Sequence, residues 1–134
     1  MAFIKFSNVG KKQSLYISFT PSKSFGIGGD FLKDNNLLDC NYATLFWDKD
    51  ALQIGFKFTK EKDKNEKSSF TMATNKNTDS RTIIARSFFR EYLKGFNMND
   101  YKSKYEPEEI NDEKFGKMFI VQLIRKDFDK EVPF

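Results

Sequence analysis

Apolar and polar positions alternate with a period of two along most of the chain, which predicts short β-strands. Leu15 to Phe19 (LYISF) is the first clear run, and it stops at Thr20-Pro21 because proline lacks the amide a continuing ladder needs. Phe25-Gly26-Ile27 is a second short strand. Gly28-Gly29 then permits a sharp redirection, and Asp30 can cap a short helix from Phe31 to about Asn36. Tyr42 to Trp47 (YATLFW) and Leu52 to Phe58 (LQIGFKF) read as two strands joined by the polar turn Asp48-Lys49-Asp50, with Leu52, Ile54, Phe56 and Phe58 on one core face. Residues 59–69 (TKEKDKNEKSS) hold no large apolar side chain and mix both charge signs, so a mobile hairpin loop is expected there. Phe70 to Ala73 and Arg81 to Ala85 are further strands flanking a turn at Asn75 to Ser80.

The period changes clearly to that of a helix once, at Ser87 to Leu93. Phe88, Phe89, Tyr92 and Leu93 form an apolar stripe, while Arg86, Arg90 and Lys94 recur every four residues along another face. Gly95 suits the end of that helix. The acidic segment around Pro107 reads as a solvated loop, Met118 to Ile124 (MFIVQLI) as a last strand, and residues 125–134 as a charged, fraying tail. The pattern predicts an α+β fold, predominantly antiparallel β with two short helices.

At 134 residues the chain has the size of one domain, and 39% hydrophobic residues with 16 Phe supply an ample core. No apolar run reaches the roughly 18 residues a bilayer span needs, and the N-terminus lacks the continuous hydrophobic stretch of a secretory signal. No membrane association and a cytoplasmic location are expected. The lone Cys40 has no partner for an internal disulfide and reads as a small, half-buried hydrophobe.

The chain has no histidine, which removes Ser-His-Asp and Cys-His catalysis and His-containing zinc sites. Carboxylate-metal chemistry of the nuclease type survives that cut. Its candidates are poor: Asp48 and Asp50 look like turn residues, and Glu106, Glu108, Glu109, Asp112 and Glu113 like a solvated segment. No catalytic residue, cofactor or metal ligand is expected.

Two stretches share a plan. FGIGGDFL (25–32) and TIIARSFF (82–89) both give a strand, a four-residue step and a Phe, aligning Ile27 with Ile84 and Phe31 with Phe88. Each continues through a Tyr-containing segment to an apolar strand, so the chain reads as two repeats, about 14–60 and 68–124, that bury their apolar faces against each other. The first of them, FGIGGDFLKDNNLLDCNYATLFWDKDALQIGFKF, resembles the swapped-hairpin module of AbrB and MraZ-type transcription factors. That resemblance covers residues 24–58 and, more loosely, 81–124, where the segment Tyr101 to Lys117 is an insertion; Gly28-Gly29 stands where the family usually has proline. It implies DNA binding through basic residues on the strand and loop before each helix, by position Lys23, Arg81 and Arg86. The chain is also similar to small proteins of AT-rich bacteria and their phages.

Charge placement points the same way. Residues 1–29 carry Lys5, Lys11, Lys12 and Lys23 and no acid, and residues 76–94 carry five basic groups against two acids, within a net charge of +4. If the fold joins these segments, Lys11, Lys12, Lys23, Arg81, Arg86, Arg90 and Lys94 form a patch that attracts phosphate by counterion release. Tyr16, Phe25 and Trp47 lie among basic residues and are candidates for stacking on bases. The leading expectation is a non-enzymatic nucleic-acid-binding regulator, DNA before RNA. The alternatives are a protein-binding accessory factor, such as an antitoxin or a phage-encoded inhibitor acting on a host protein, and a metal-dependent nuclease. Swapped-hairpin proteins are often homodimers or higher oligomers, yet two units in one chain can also satisfy each other.

Overall fold

The computed structural model describes residues 15–20, 23–61, 69–75 and 78–125. Lys11, Lys12, Pro21, most of the 59–69 loop and residues 126–134 lie outside them. Among the described residues there are nine strands: β1 (Ile17–Thr20), β2 (Ser24–Ile27), β3 (Tyr42–Asp48), β4 (Gln53–Thr59), β5 (Ser69–Thr74), β6 (Arg81–Ile84), β7 (Lys104–Tyr105), β8 (Glu108–Asp112) and β9 (Gly116–Gln122). Helix α1 (Gly29–Asp34) follows β2, α2 (Arg86–Tyr92) follows β6, and a 3₁₀ turn, Met98–Asp100, precedes β7. Every strand pairing is antiparallel, and the α+β class expected from the sequence is the class observed.

The strands run β7-β1-β2-β6-β5-β3-β4-β9-β8 in one curled sheet. Its two end strands are neighbours in sequence, separated by Glu106-Pro107 alone. The segment leading into them is held on both sides. The Phe19 amide donates to the Ser103 carbonyl at 2.8 Å, and the Lys102 amide donates to the Ile124 carbonyl at 2.8 Å. Tyr101 bridges to Arg125 in the same antiparallel sense. Residues 101–105 therefore join β1 to the end of β9, and the sheet closes into a barrel in which β8 is paired with β9 alone among the described residues. The acidic segment expected to be a loop is thus β8. Its sequence hid this because only Ile110 and Asp112 are even half-buried, so the strand is specified by backbone pairing with β9 and not by an apolar face.

Two ββαββ units build the barrel, β1-β2-α1-β3-β4 and β5-β6-α2-β7/β8-β9. Exchanging them leaves the cyclic strand order unchanged: β2 meets β6, β4 meets β9, β3 pairs with β5 and β7 with β1. A topological two-fold therefore passes between β2 and β6 on one wall and between β4 and β9 on the other. The sequence alignment of the repeats is right in the helices, where Phe31 and Leu32 match Phe88 and Phe89 as buried pairs, and wrong in the strands. Ile27 is 1% exposed but Ile84 is 57% exposed, and the inward residues of the second unit are Ile83 and Ala85. A single residue, Gly28 or Ala85, separates strand from helix in each unit, so the difference lies in which strand residues face inward.

The interior is aromatic. Phe25 is fully buried and packs against the rings of Phe56 and Phe89 at 5.1 Å, Phe19 at 5.6 Å and Phe88 at 6.2 Å. Phe31 plays the matching part for α1, with Phe119 at 4.9 Å and Phe58 at 6.0 Å. Tyr92 departs from the expected stripe: it is half exposed and leans on Phe88 from outside at 5.3 Å. Asp30 is not a cap, because α1 starts at Gly29, two residues earlier than expected, and Gly28 occupies the cap position in extended backbone.

Gly29 is needed for proximity and not for an unusual dihedral. A Cβ there would lie 3.0 Å from the Asp79 Cβ and 3.2 Å from the backbone of Asp79 and Ser80, so α1 rests directly on the β5–β6 connection. Gly29→Ala is expected to destabilise the fold by about 1–3 kcal/mol through this overpacking, read as a lower denaturant midpoint at unchanged slope.

Candidate nucleic-acid interface

The β1–β2 turn places Lys23 in the left-handed region, φ 62°. Its amide donates to the Thr20 carbonyl at 3.1 Å, and its carbonyl accepts from the Ala85 amide at 3.2 Å, which ties the turn to the start of α2. Beyond α2 the chain turns back through the 3₁₀ segment, whose first turn is fixed by the Asn97 side chain accepting from the Asn99 amide at 3.1 Å. Between these elements lies a groove of about 510 Å³. Lys23, Arg90 and Lys94 line it with Thr20, Asn97 and Asn99, over a floor that includes the buried Phe89 and Leu93. No carboxylate belongs to that lining. The three cations are solvent-exposed and form no ion pair with a described residue. Arg86 is exposed one turn back along the same helical face.

Four of the seven basic residues singled out by the sequence are therefore brought together on or beside one groove, and Lys11 and Lys12 lie outside the described residues. Arg81 stands apart. Its Nη1 donates to the carbonyls of Asp79 at 2.6 Å and Ser80 at 3.3 Å, and its Nη2 donates to the Leu38 carbonyl at 3.1 Å. The guanidinium thus clamps the α1–β3 connection to the start of β6. Its Nε is buried and has no acceptor among the described residues. Arg81 also lines a second, smaller pocket of about 250 Å³ on the outer wall, together with Lys104, Tyr16, Ser18, Asn75 and Ser80. Sequence reasoning missed Thr20, Asn97, Asn99 and Lys104; the turn-forming run Asn97 to Asp100 was a signal for Asn97 and Asn99, and Thr20 and Lys104 left none.

Of the three aromatic candidates for stacking, Phe25 is core and Trp47 points inward onto Phe96 at 5.7 Å. Tyr16 remains 40% exposed. The acidic candidates serve turns and surface pairs. Asp48 accepts from the Ala51 amide, Asp112 accepts from the amides of Lys114 and Phe115, and Glu109 pairs with Lys117 at 3.5 Å. Asp79 and Asp39 are held below the usual carboxylate range by hydrogen bonds from Lys33 and Lys60, each at 2.9 Å. Among the described residues no cluster of three ligating side chains could hold a metal ion. Burial pushes the Cys40 thiol above its ordinary pKa.

The opposite wall carries an apolar trough of about 550 Å³ over Gly55, floored by Phe46, Ile110, Phe115, Met118 and Ile120 and rimmed by Asp48, Lys49 and Asp112. A Cβ at Gly55 would sit 3.0 Å from Met118 Sδ and 3.2 Å from Phe46 Cβ, so the missing side chain is what leaves room for these two neighbours.

Lys23 offers a way to separate the groove from the fold. Lys23→Gly removes the penalty of left-handed backbone at a side-chain-bearing residue, and is expected to leave stability unchanged or raise it by up to ~1 kcal/mol while weakening any anionic ligand of the groove. Thermal melting and ligand titration of the same sample check both halves. No described helix is long and apolar enough to cross a membrane. Comparison of the chain with protein-family models, with curated proteins and with solved structures finds no match.

Proposed function

We propose that this is a non-enzymatic nucleic-acid-binding protein of the cytoplasm, a transcriptional or phage-associated regulator, with DNA favoured over RNA by the swapped-hairpin resemblance. One observation supports the reading above the others. Lys23 from the β1–β2 turn and Arg90 and Lys94 from α2 and its end converge on a groove that contains no carboxylate and that adds hydroxyl and amide groups from Thr20, Asn97 and Asn99. Such a lining neutralises phosphates, with guanidinium able to bind them bidentately and amides able to donate to ester oxygens.

The test is fluorescence anisotropy with labelled single- and double-stranded DNA and RNA at two salt concentrations fourfold apart. Three phosphate contacts imply an affinity loss of roughly 20- to 40-fold between them. Absence of binding at low salt, or binding indifferent to salt, overturns the proposal. A second reading, a protein-binding accessory factor such as an antitoxin or an inhibitor of a host defence system, is favoured by the trough over Gly55, because a concave apolar floor with a charged rim is the usual anatomy of a protein contact.

A further inference from the structure

We infer that the ligand is a single strand, laid along the outer face of β1 from the basic groove to the Arg81–Lys104 pocket; this rests on the nucleic-acid reading above. Ile17 and Phe19 point into the core, so Tyr16, Ser18 and Thr20 share the outer face. Thr20 lines the basic groove, while Ser18 and Tyr16 line the second pocket. The two sites therefore share one strand face, with Thr20 of the groove about 7 Å from Ser18 and about 13 Å from Tyr16 of the second pocket at a rise of ~3.3 Å per residue. Lys104 stands directly across from Ser18 in the β1–β7 ladder. Like the first groove, the second pocket has no carboxylate in its lining, and it pairs two cations with hydroxyl and amide groups.

Between the sites the wall is low. Its outward residues on β1 and β2 are Ser18, Thr20 and Gly26, with Ser24 buried beside Thr20, and a Cβ on Gly26 would come within 2.8 Å of the Ser18 hydroxyl. Two apolar side chains rise beside this track, Tyr16 at 40% and Ile84 at 57% exposure. A duplex covers its base faces by stacking and presents phosphate, which would leave both side chains without a partner. An unpaired base offers Tyr16 a π-face. Cations at both ends with an exposed ring beside the track thus match the phosphates and bases of an extended single strand longer than a dinucleotide.

The experiment uses the full chain, a labelled twelve-nucleotide oligothymidylate and a labelled twelve-base-pair duplex. The single strand is expected to bind at least tenfold tighter than the duplex. Tyr16→Ala is expected to weaken the single strand about tenfold, with Tyr16→Phe retaining affinity because the ring is kept. Lys104→Gln is expected to weaken it and to reduce the salt slope by about 0.7. Both positions are exposed, and unchanged thermal melting shows that the fold is retained. Tighter binding of the duplex, or indifference to both Tyr16→Ala and Lys104→Gln while groove variants at Arg90 and Lys94 lose binding, overturns the track and leaves the groove as the binding site. If neither oligonucleotide binds at low salt, the track and the nucleic-acid reading fail together.

Discussion

Truncation of Phe25 to alanine is expected to cost about 3–5 kcal/mol, the largest single-residue effect in this chain. The ring is fully buried where β2 crosses β6, and it touches four other rings belonging to β1, β4 and α2. Removing it takes away the transfer energy of a phenyl group and leaves a cavity that a closed barrel cannot collapse to fill. Urea unfolding followed by circular dichroism measures this as a midpoint lowered by about 2 M or as loss of the folded baseline. A midpoint shift under 0.5 M, roughly the effect of a surface change, would mean that the interior repacks around the hole.

The largest functional effect is expected from charge reversal in the groove. Arg90→Glu with Lys94→Glu removes two of its three cations and puts two carboxylates where there were none. Each lost charge-assisted contact is worth about 1.5–3 kcal/mol, so affinity for nucleic acid should fall at least a hundredfold. Both side chains are exposed, so melting should barely change. Reversal of Arg86, which stands outside the lining, should act more weakly through the long-range field alone and vanish at high salt. Equal losses from Arg86→Glu and the double variant would place the contact along the whole helix face and not in the groove.

How far the sequence anticipated this depends on what kind of signal each element left. The strands with one buried face were legible, since Ile54 and Phe56 on β4 and Phe25 and Ile27 on β2 alternate with polar or small neighbours. Strand β8 was not, because Glu108 to Asp112 contribute almost nothing to the core and are ordered by hydrogen bonds to β9, which composition does not record. The repeat was legible as a spacing, but Ile84 was misassigned: an isoleucine beside a buried isoleucine gives no sign of which one faces inward, and pairing of Ile83 with Phe25 decides it. For the groove, the basic period of α2 identified Arg90 and Lys94 as neighbours. That Lys23 would join them, and that Arg81 would instead be engaged by the carbonyls of Asp79, Ser80 and Leu38, depended on how the β1–β2 turn and the α1–β3 connection fold back.

The closing of the barrel by residues 101–125 also fixes an order in time. A ribosome releases β1 and β4 long before it releases the stretch that flanks both of them, and until then each carries a row of unpaired amides and carbonyls. The nascent chain therefore holds two sticky edges for most of its synthesis and loses both in one late event. A message cut short before residue 101 yields a product that keeps them, with strand exchange between copies as the remaining outlet and aggregation as its cellular cost.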